Sequence, residues 1–483
     1  MRYIINNNNN KQNNRTKIKS RKHDKKTITT FLVYITNSLE NTMKNNYHFL
    51  NILIIIIIII IQKDTATSMV IDDDDNNIKN NLYLNLLNDK YSTSLNARCL
   101  DGSPPAYYIN KPQVNSINAS KYIIYFQGGG WCYTVEECFA RSITSIGSSK
   151  SYEKIITSDS KGGIINSNET SNPNFHSWTR VWVPYCDGTS WSGNLNKPIV
   201  NKNNKTIHYR GRANMIALVT ALRRDQGMNN ATSVIIDGGS AGGLTVLLHS
   251  DFFGSLLPKH VLNNYAAIGD AGWFRPDMKL DKVGYTNEME TMVKLSNASM
   301  DIDCLNHYNT DADKSKCIFA PIVFPFITTK MFILEGRYDS WQLHHILGWY
   351  CATYGKTLDN CTKNDNATLE LYGTAMKKSI QLALKSSSHH AKTAGAFVSQ
   401  CIIHVQSVFN ENHDVWNNQL VINGKTPHDV VSEWYFGTTI SSRGSSATTN
   451  NKSIDDSNNI DGNGIEIEDC GDFGCNVFCQ SYT

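Results

Sequence analysis

The chain has 483 residues, 40% of them hydrophobic and 18% charged, and 46 Lys and Arg against 43 Asp and Glu leave a formal net charge of +3. Part of that charge sits in the first residues, so the remainder is near neutral and gives no basic field of the kind that recruits nucleic acid.

Residues 1–48 form an Asn- and Lys-rich leader, and "NNNNNKQNN" at 6–14 is low-complexity sequence that cannot bury a core. From Phe49 to Ile61 the chain reads "FLNILIIIIIIII", thirteen residues with Asn51 the only polar one. A membrane span needs about 20 apolar residues, whereas the apolar region of a signal peptide needs about 7–15. Lys44 precedes the run and "ATS" at 66–68 supplies small residues for cleavage, so 49–68 is expected to be a signal peptide's apolar and cleavage region. Met43 opens an ordinary basic start to such a signal. The competing expectation is an uncleaved anchor at 49–61, which would make the membrane a partner. All twelve cysteines lie at Cys99 or later, an even count that fits disulfides and export. Eight Asn-x-Ser/Thr sequons follow residue 68, at Asn118, Asn168, Asn204, Asn230, Asn297, Asn360, Asn366 and Asn451, and fit a secreted glycoprotein.

Residues 69–439 read as one α/β catalytic domain. Apolar runs at 123–126 (IIYF), 181–183 (VWV), 233–237 (SVIID) and 331–334 (MFIL) have strand character, and 212–223 has a helical pattern. Strands alternating with helices predict a mostly parallel sheet flanked by helices. A Ser- and Asn-rich linker is expected at 440–463, followed at 464–483 by a cysteine-rich clip held by disulfides.

Two glycine-rich stretches carry the chemistry. Gly238-Gly239-Ser240-Ala241-Gly242 is a G-x-S-x-G between a strand and a helix, the setting of a nucleophile elbow. A serine at so sharp a turn needs small residues two places to either side. Upstream, "FQGGGWC" at 126–132 follows an earlier strand. Acyl transfer places negative charge on a carbonyl oxygen, and backbone N–H groups aimed at that oxygen stabilise it. Ala241 and the loop of Gly129, Gly130 and Trp131 are the candidate donors. Serine also requires a base and an acid that orients it, in the chain order Ser, Asp or Glu, His. Asp339, just beyond the strand run at 331–334, suits the acid. Seven histidines follow it (His344, His345, His389, His390, His404, His413 and His428), and their spacing alone does not choose among them.

Taken in order, "FQGGGWC", "YCDGTSW", "GGSAGG", "ILEGRYDSWQ" and "CIIHVQ" resemble the pectin acetylesterase/Notum carboxylesterases, over a stretch from about Cys99 to Cys479. The resemblance implies an α/β-hydrolase fold, disulfides, secretion and a Ser240, Asp339, His404 triad, with Gly130, Trp131 and Ala241 as oxyanion donors. Plant-type members usually read His-Cys-Gln where this chain has His404-Val405-Gln406. "YCDG" at 185–188 is closer to the plant-type pattern and implies an O-acetyl polysaccharide substrate. The alternatives are a Notum-like deacylase of a lipidated protein and an inactive secreted or anchored binding protein with the same fold. No metal constellation or nucleotide-binding loop is legible, so no cofactor is expected.

Overall fold

The computed structural model describes residues 80–88, 91–112, 116–201, 204–276, 284–351, 358, 361–386, 393–408, 415–437 and 464–469. The chain divides into two units, Met1–Asp73 and Asp74–Thr483, and every described residue lies in the second. The leader, the apolar run at 49–61, the expected linker, Cys470, Cys475 and Cys479, His389, His390 and His413, and the sequons at Asn360 and Asn451 lie outside the described residues.

The strands are β1 (Asn81–Leu86), β2 (Ala106–Asn110), β3 (Lys121–Phe126), β4 (Ile155–Thr157), β5 (Thr179–Val183), β6 (Ile199–Val200), β7 (Thr206–Ile207), β8 (Ser233–Gly239), β9 (Tyr265–Asp270), β10 (Met331–Asp339), β11 (Gly395–Ile403) and β12 (Ile465–Ile467). Ten of them form one sheet in the order β12-β11-β10-β9-β8-β3-β5-β2-β1-β4, while β6 and β7 pair separately. From β5 to β12 every pairing is parallel; β2, β1 and β4 extend the sheet antiparallel.

The apolar runs become strands because the sheet is covered on both faces, so neither face of a central strand needs polar residues. Successive side chains point to opposite faces. Tyr122, Ile124, Phe126, Val234 and Ile236 join one buried cluster, and Ile123, Tyr125 and Ile235 join the other. The main flanking helices are α1 (Val135–Ser142), α2 (Gly211–Asp225), α3 (Ala241–Ser255), α4 (Tyr285–Ser296), α5 (Ser340–His345), α6 (Lys363–Leu384) and α7 (Pro427–Phe436). α3 packs on β8 and β9 and is buried on nearly every side. Capping boxes start α1 at Thr134 and Glu137, α6 at Thr362 and Asp365, and α7 at Thr426 and Asp429. Among the described residues, no helix is long and apolar enough to cross a membrane.

Disulfides join Cys99 to Cys186, Cys132 to Cys138, Cys304 to Cys317 and Cys351 to Cys361. Cys401 is also disulfide-bonded, so no described cysteine is free. β12 lies within the segment read as a cysteine-rich clip, and it completes the sheet by pairing with β11. Three residues beside a Ser- and Asn-rich stretch carry too little periodicity to announce a strand.

Candidate active site

The carboxyl ends of the parallel strands collect the chemistry, as is general for open α/β sheets. Ser240 follows β8, Asp339 ends β10, His404 comes one residue after β11, and Gly128-Gly129-Gly130 follow β3.

Ser240 has φ 60° and ψ −125°, a left-handed conformation rare for a residue with a side chain. Two contacts explain why small residues flank it. A Cβ on Gly238 would collide with the Gly242 carbonyl, and one on Gly242 would collide with the Phe126 carbonyl. The Ser240 N–H donates to the Asp270 carbonyl at 2.9 Å, which ties the elbow to β9. The glycine loop lies directly against the elbow: a Cβ on Gly128 would stand 2.8 Å from Ser240 Cβ and 3.3 Å from Ala241 N.

Asp339 and His404 come together. His404 Nδ1 lies 2.6 Å from Asp339 Oδ2, and Asp339 Oδ1 accepts the Gln342 N–H at 2.8 Å. Asp339 is fully buried, while 17% of the His404 side chain remains exposed. Burial pushes the imidazole pKa down, but the Asp339 carboxylate, through charge and hydrogen bond, and the Asp270 charge hold it above its ordinary value. His344 and His345 lie on α5, where His345 stacks on Trp341, and His428 is buried against Trp416.

Asp270 was not singled out from the sequence. Its Oδ2 accepts the N–H groups of Gln406 at 2.7 Å and Ser407 at 2.6 Å, so it holds the turn after His404 while its own carbonyl holds Ser240. Burial raises its pKa to about 6 against the opposing pull of these hydrogen bonds. The available signal was a carboxylate closing a buried strand, as Asp339 closes another.

The other wall is aromatic. Trp131, Phe274, Tyr285 and Trp341 all touch one another, with ring centroids 4.8–6.3 Å apart. Trp341 also lies 6.4 Å from the His404 ring at 25°, and a Cβ on Gly130 would be 3.9 Å from its ring edge. Trp131 Nε1 donates to Ser190 Oγ at 2.7 Å, and that hydroxyl donates to the Ala241 carbonyl at 2.8 Å. Phe274 belongs to this wall, whereas its neighbour Trp273 packs into the core against Phe324.

A serine on a strained strand-to-helix turn, a glycine loop against it and a paired Asp and His at neighbouring strand ends define an α/β-hydrolase. The comparisons with known proteins agree. A family model described as pectinacetylesterase matches residues 76–461. Pectin acetylesterase 5 of Arabidopsis thaliana is 31% identical over 70% of this chain and 77% of its own. The palmitoleoyl-protein carboxylesterase NOTUM of Schmidtea mediterranea is 29% identical over 53% of this chain and 48% of its own. The solved structure of the Wnt deacylase Notum from Drosophila superposes with a TM-score of 0.61 at 20% identity, covering 74% of this chain and 93% of that one. The chain belongs to the pectinacetylesterase family and is a carboxylic ester hydrolase.

Proposed function

We propose that the protein is a secreted serine esterase that removes acetyl groups from an O-acetylated polysaccharide, with Ser240 as nucleophile, His404 as base and Asp339 as the acid that orients it. The observation that carries this reading is the 2.6 Å contact of His404 Nδ1 with the buried Asp339 carboxylate, beside a serine held at positive φ. Asp339 fixes the tautomer in which Nε2 is left to take a proton.

Ser240 Oγ attacks the acyl carbon and passes its proton to His404 Nε2. The carbonyl electrons move onto oxygen, and the N–H groups of Gly130, Trp131 and Ala241 receive that charge. Collapse of the intermediate breaks the ester bond, and His404 returns the proton to the departing alcohol. Water then enters by the same route, releases acetate and regenerates Ser240.

The pectin acetylesterase relatives and the disulfides support a polysaccharide substrate and export. A panel of aryl esters from acetyl to hexadecanoyl, run beside acetylated pectin, tests the substrate. Turnover is expected to be highest for acetyl and to fall steeply with length. A preference for the longest chains would overturn the acetyl reading in favour of a deacylase of a lipidated protein.

A further inference from the structure

The glycine loop is gripped from behind. Arg141, in the last turn of α1, donates through Nη2 to the carbonyl oxygens of Gly129 and Gly130, the latter at 3.3 Å. Its Nη1 donates to the Trp131 carbonyl at 3.4 Å, and its Nε to the Ile146 carbonyl at 3.2 Å. Three successive carbonyls thus face one guanidinium.

The peptide that carries the Gly129 oxygen also carries the Gly130 N–H, and the peptide that carries the Gly130 oxygen carries the Trp131 N–H. In a trans peptide the C=O and N–H point in opposite directions. A cation on the oxygen side therefore turns these two N–H groups away from itself, toward the side on which the proposed site receives the acyl oxygen. It also draws electron density to the oxygens, which makes the N–H groups stronger donors. Arginine suits this task because its planar fork presents five donors in fixed directions.

The fork is itself well anchored. Its carbon lies 5.1 Å from the centroid of the buried Tyr185 ring. The Thr134–Glu137 capping box fixes the start of α1, and the Cys132–Cys138 disulfide joins that helix to the residue after Trp131. A Cβ on Gly129 would come 3.3 Å from Arg141 Nη2, so the bare backbone there lets the guanidinium approach.

We propose that Arg141 is a positioning residue of the oxyanion hole: it aims and polarises the two peptide groups whose N–H donors receive the negative charge of the transition state. The inference rests on reading Gly130 and Trp131 as those donors. Because the charge they meet exists only in the transition state, loss of Arg141 weakens kcat and spares substrate binding.

Arg141→Lys and Arg141→Ala test this, with melting temperature followed for both and Ser240→Ala assayed in parallel. Removing an oxyanion donor outright costs about 10²–10³ in rate, so losing its support is expected to lower kcat by about 10–100-fold, with KM changed less than about threefold. Affinity for a boronic acid, which forms a tetrahedral anion on the serine, should fall by the same factor as kcat. Millimolar guanidinium should restore part of the activity of Arg141→Ala and none of that of Ser240→Ala. If Arg141→Ala does not fold, Arg141→Lys carries the test, since a point charge cannot reach all three carbonyls. Unchanged kcat in a folded variant, a loss confined to KM, or a loss that guanidinium leaves untouched and that tracks melting temperature would overturn the proposal. Activity surviving in Ser240→Ala would instead overturn the reading of the site itself.

Discussion

At the scale of single residues, the site depends on groups held where their surroundings disfavour them. Ser240 at positive φ persists because Asp270, Phe126 and the bare glycines on either side leave its turn nowhere else to go. Ser240→Ala should keep the fold and lose ester turnover except for the residual catalysis of binding and the oxyanion hole, as read by aryl-ester hydrolysis beside circular dichroism. Gly128→Ala is a finer probe. Its methyl would collide with the Gly239 carbonyl oxygen and meet Ser240 Cβ at 2.8 Å, so loop and elbow must separate; kcat should fall by about 10²–10³, the cost of an oxyanion donor, and melting temperature should fall with it. For His404, Asp339 and Asp270 together outweigh burial and raise the imidazole pKa. As the proposed base His404 would act in its neutral form, so kcat/KM should fall as pH drops through a value above that of an ordinary histidine. Asp339→Asn should lose about 10⁴ in kcat through the wrong tautomer. Its remaining acid limb should move to lower pH, because the main cause raising the imidazole pKa is gone. An unmoved limb in a pH–rate profile of that variant would assign the titration to another group.

Among the elements, β9 links the two halves of the site. Asp270 at its end holds the backbone of Ser240 through its carbonyl and the turn after His404 through its carboxylate. Its folded-state pKa of about 6 lies above the ordinary 3.8. The folded state therefore binds this proton more tightly than the unfolded chain does. The stabilisation is fully present below about pH 4 and is lost as pH rises through about 6. Asp270→Asn removes that dependence. Melting curves at intervals between pH 4 and 7 should show the wild type losing stability relative to the variant as pH rises, and a constant difference would contradict the assignment. Much of this architecture was legible in sequence because steric demands write themselves locally. The parallel strands appear as apolar runs, and the elbow and loop appear as glycines where no Cβ fits. The pairing of Asp339 with His404 was not legible from spacing, since it joins residues 65 apart across neighbouring strands; the resemblance selected the histidine. Asp270 and Arg141 escaped for the same reason, because their work is done on backbone groups brought close only by folding.

On the scale of the whole molecule, covalent links surround the loops that frame the site. Cys132–Cys138 closes the glycine loop onto α1, and Cys99–Cys186 fixes the chain just before Asp187, whose buried carboxylate accepts the Trp191 N–H. Every described cysteine is bonded. Thiol counting on the denatured, unreduced protein should therefore find few or none of the twelve cysteines reactive, and a largely reduced count would contradict export. Mild reduction should lower ester turnover before the sheet melts, because the loops depend on the bridges more than the strands do.

The last strand imposes an order on synthesis. β11 delivers His404, and its outer edge is covered by β12, with the Glu468 carboxylate accepting the Gln400 N–H at 2.7 Å. A nascent chain that has reached residue 463 already contains Ser240, Asp339 and His404, yet the strand leading to its histidine still has a bare edge. Such an edge invites pairing with other chains. The few residues that protect it leave the ribosome after Ser240, Asp339 and His404, so each new molecule passes through an interval in which the proposed triad is complete in sequence while the edge of β11 is open to other chains.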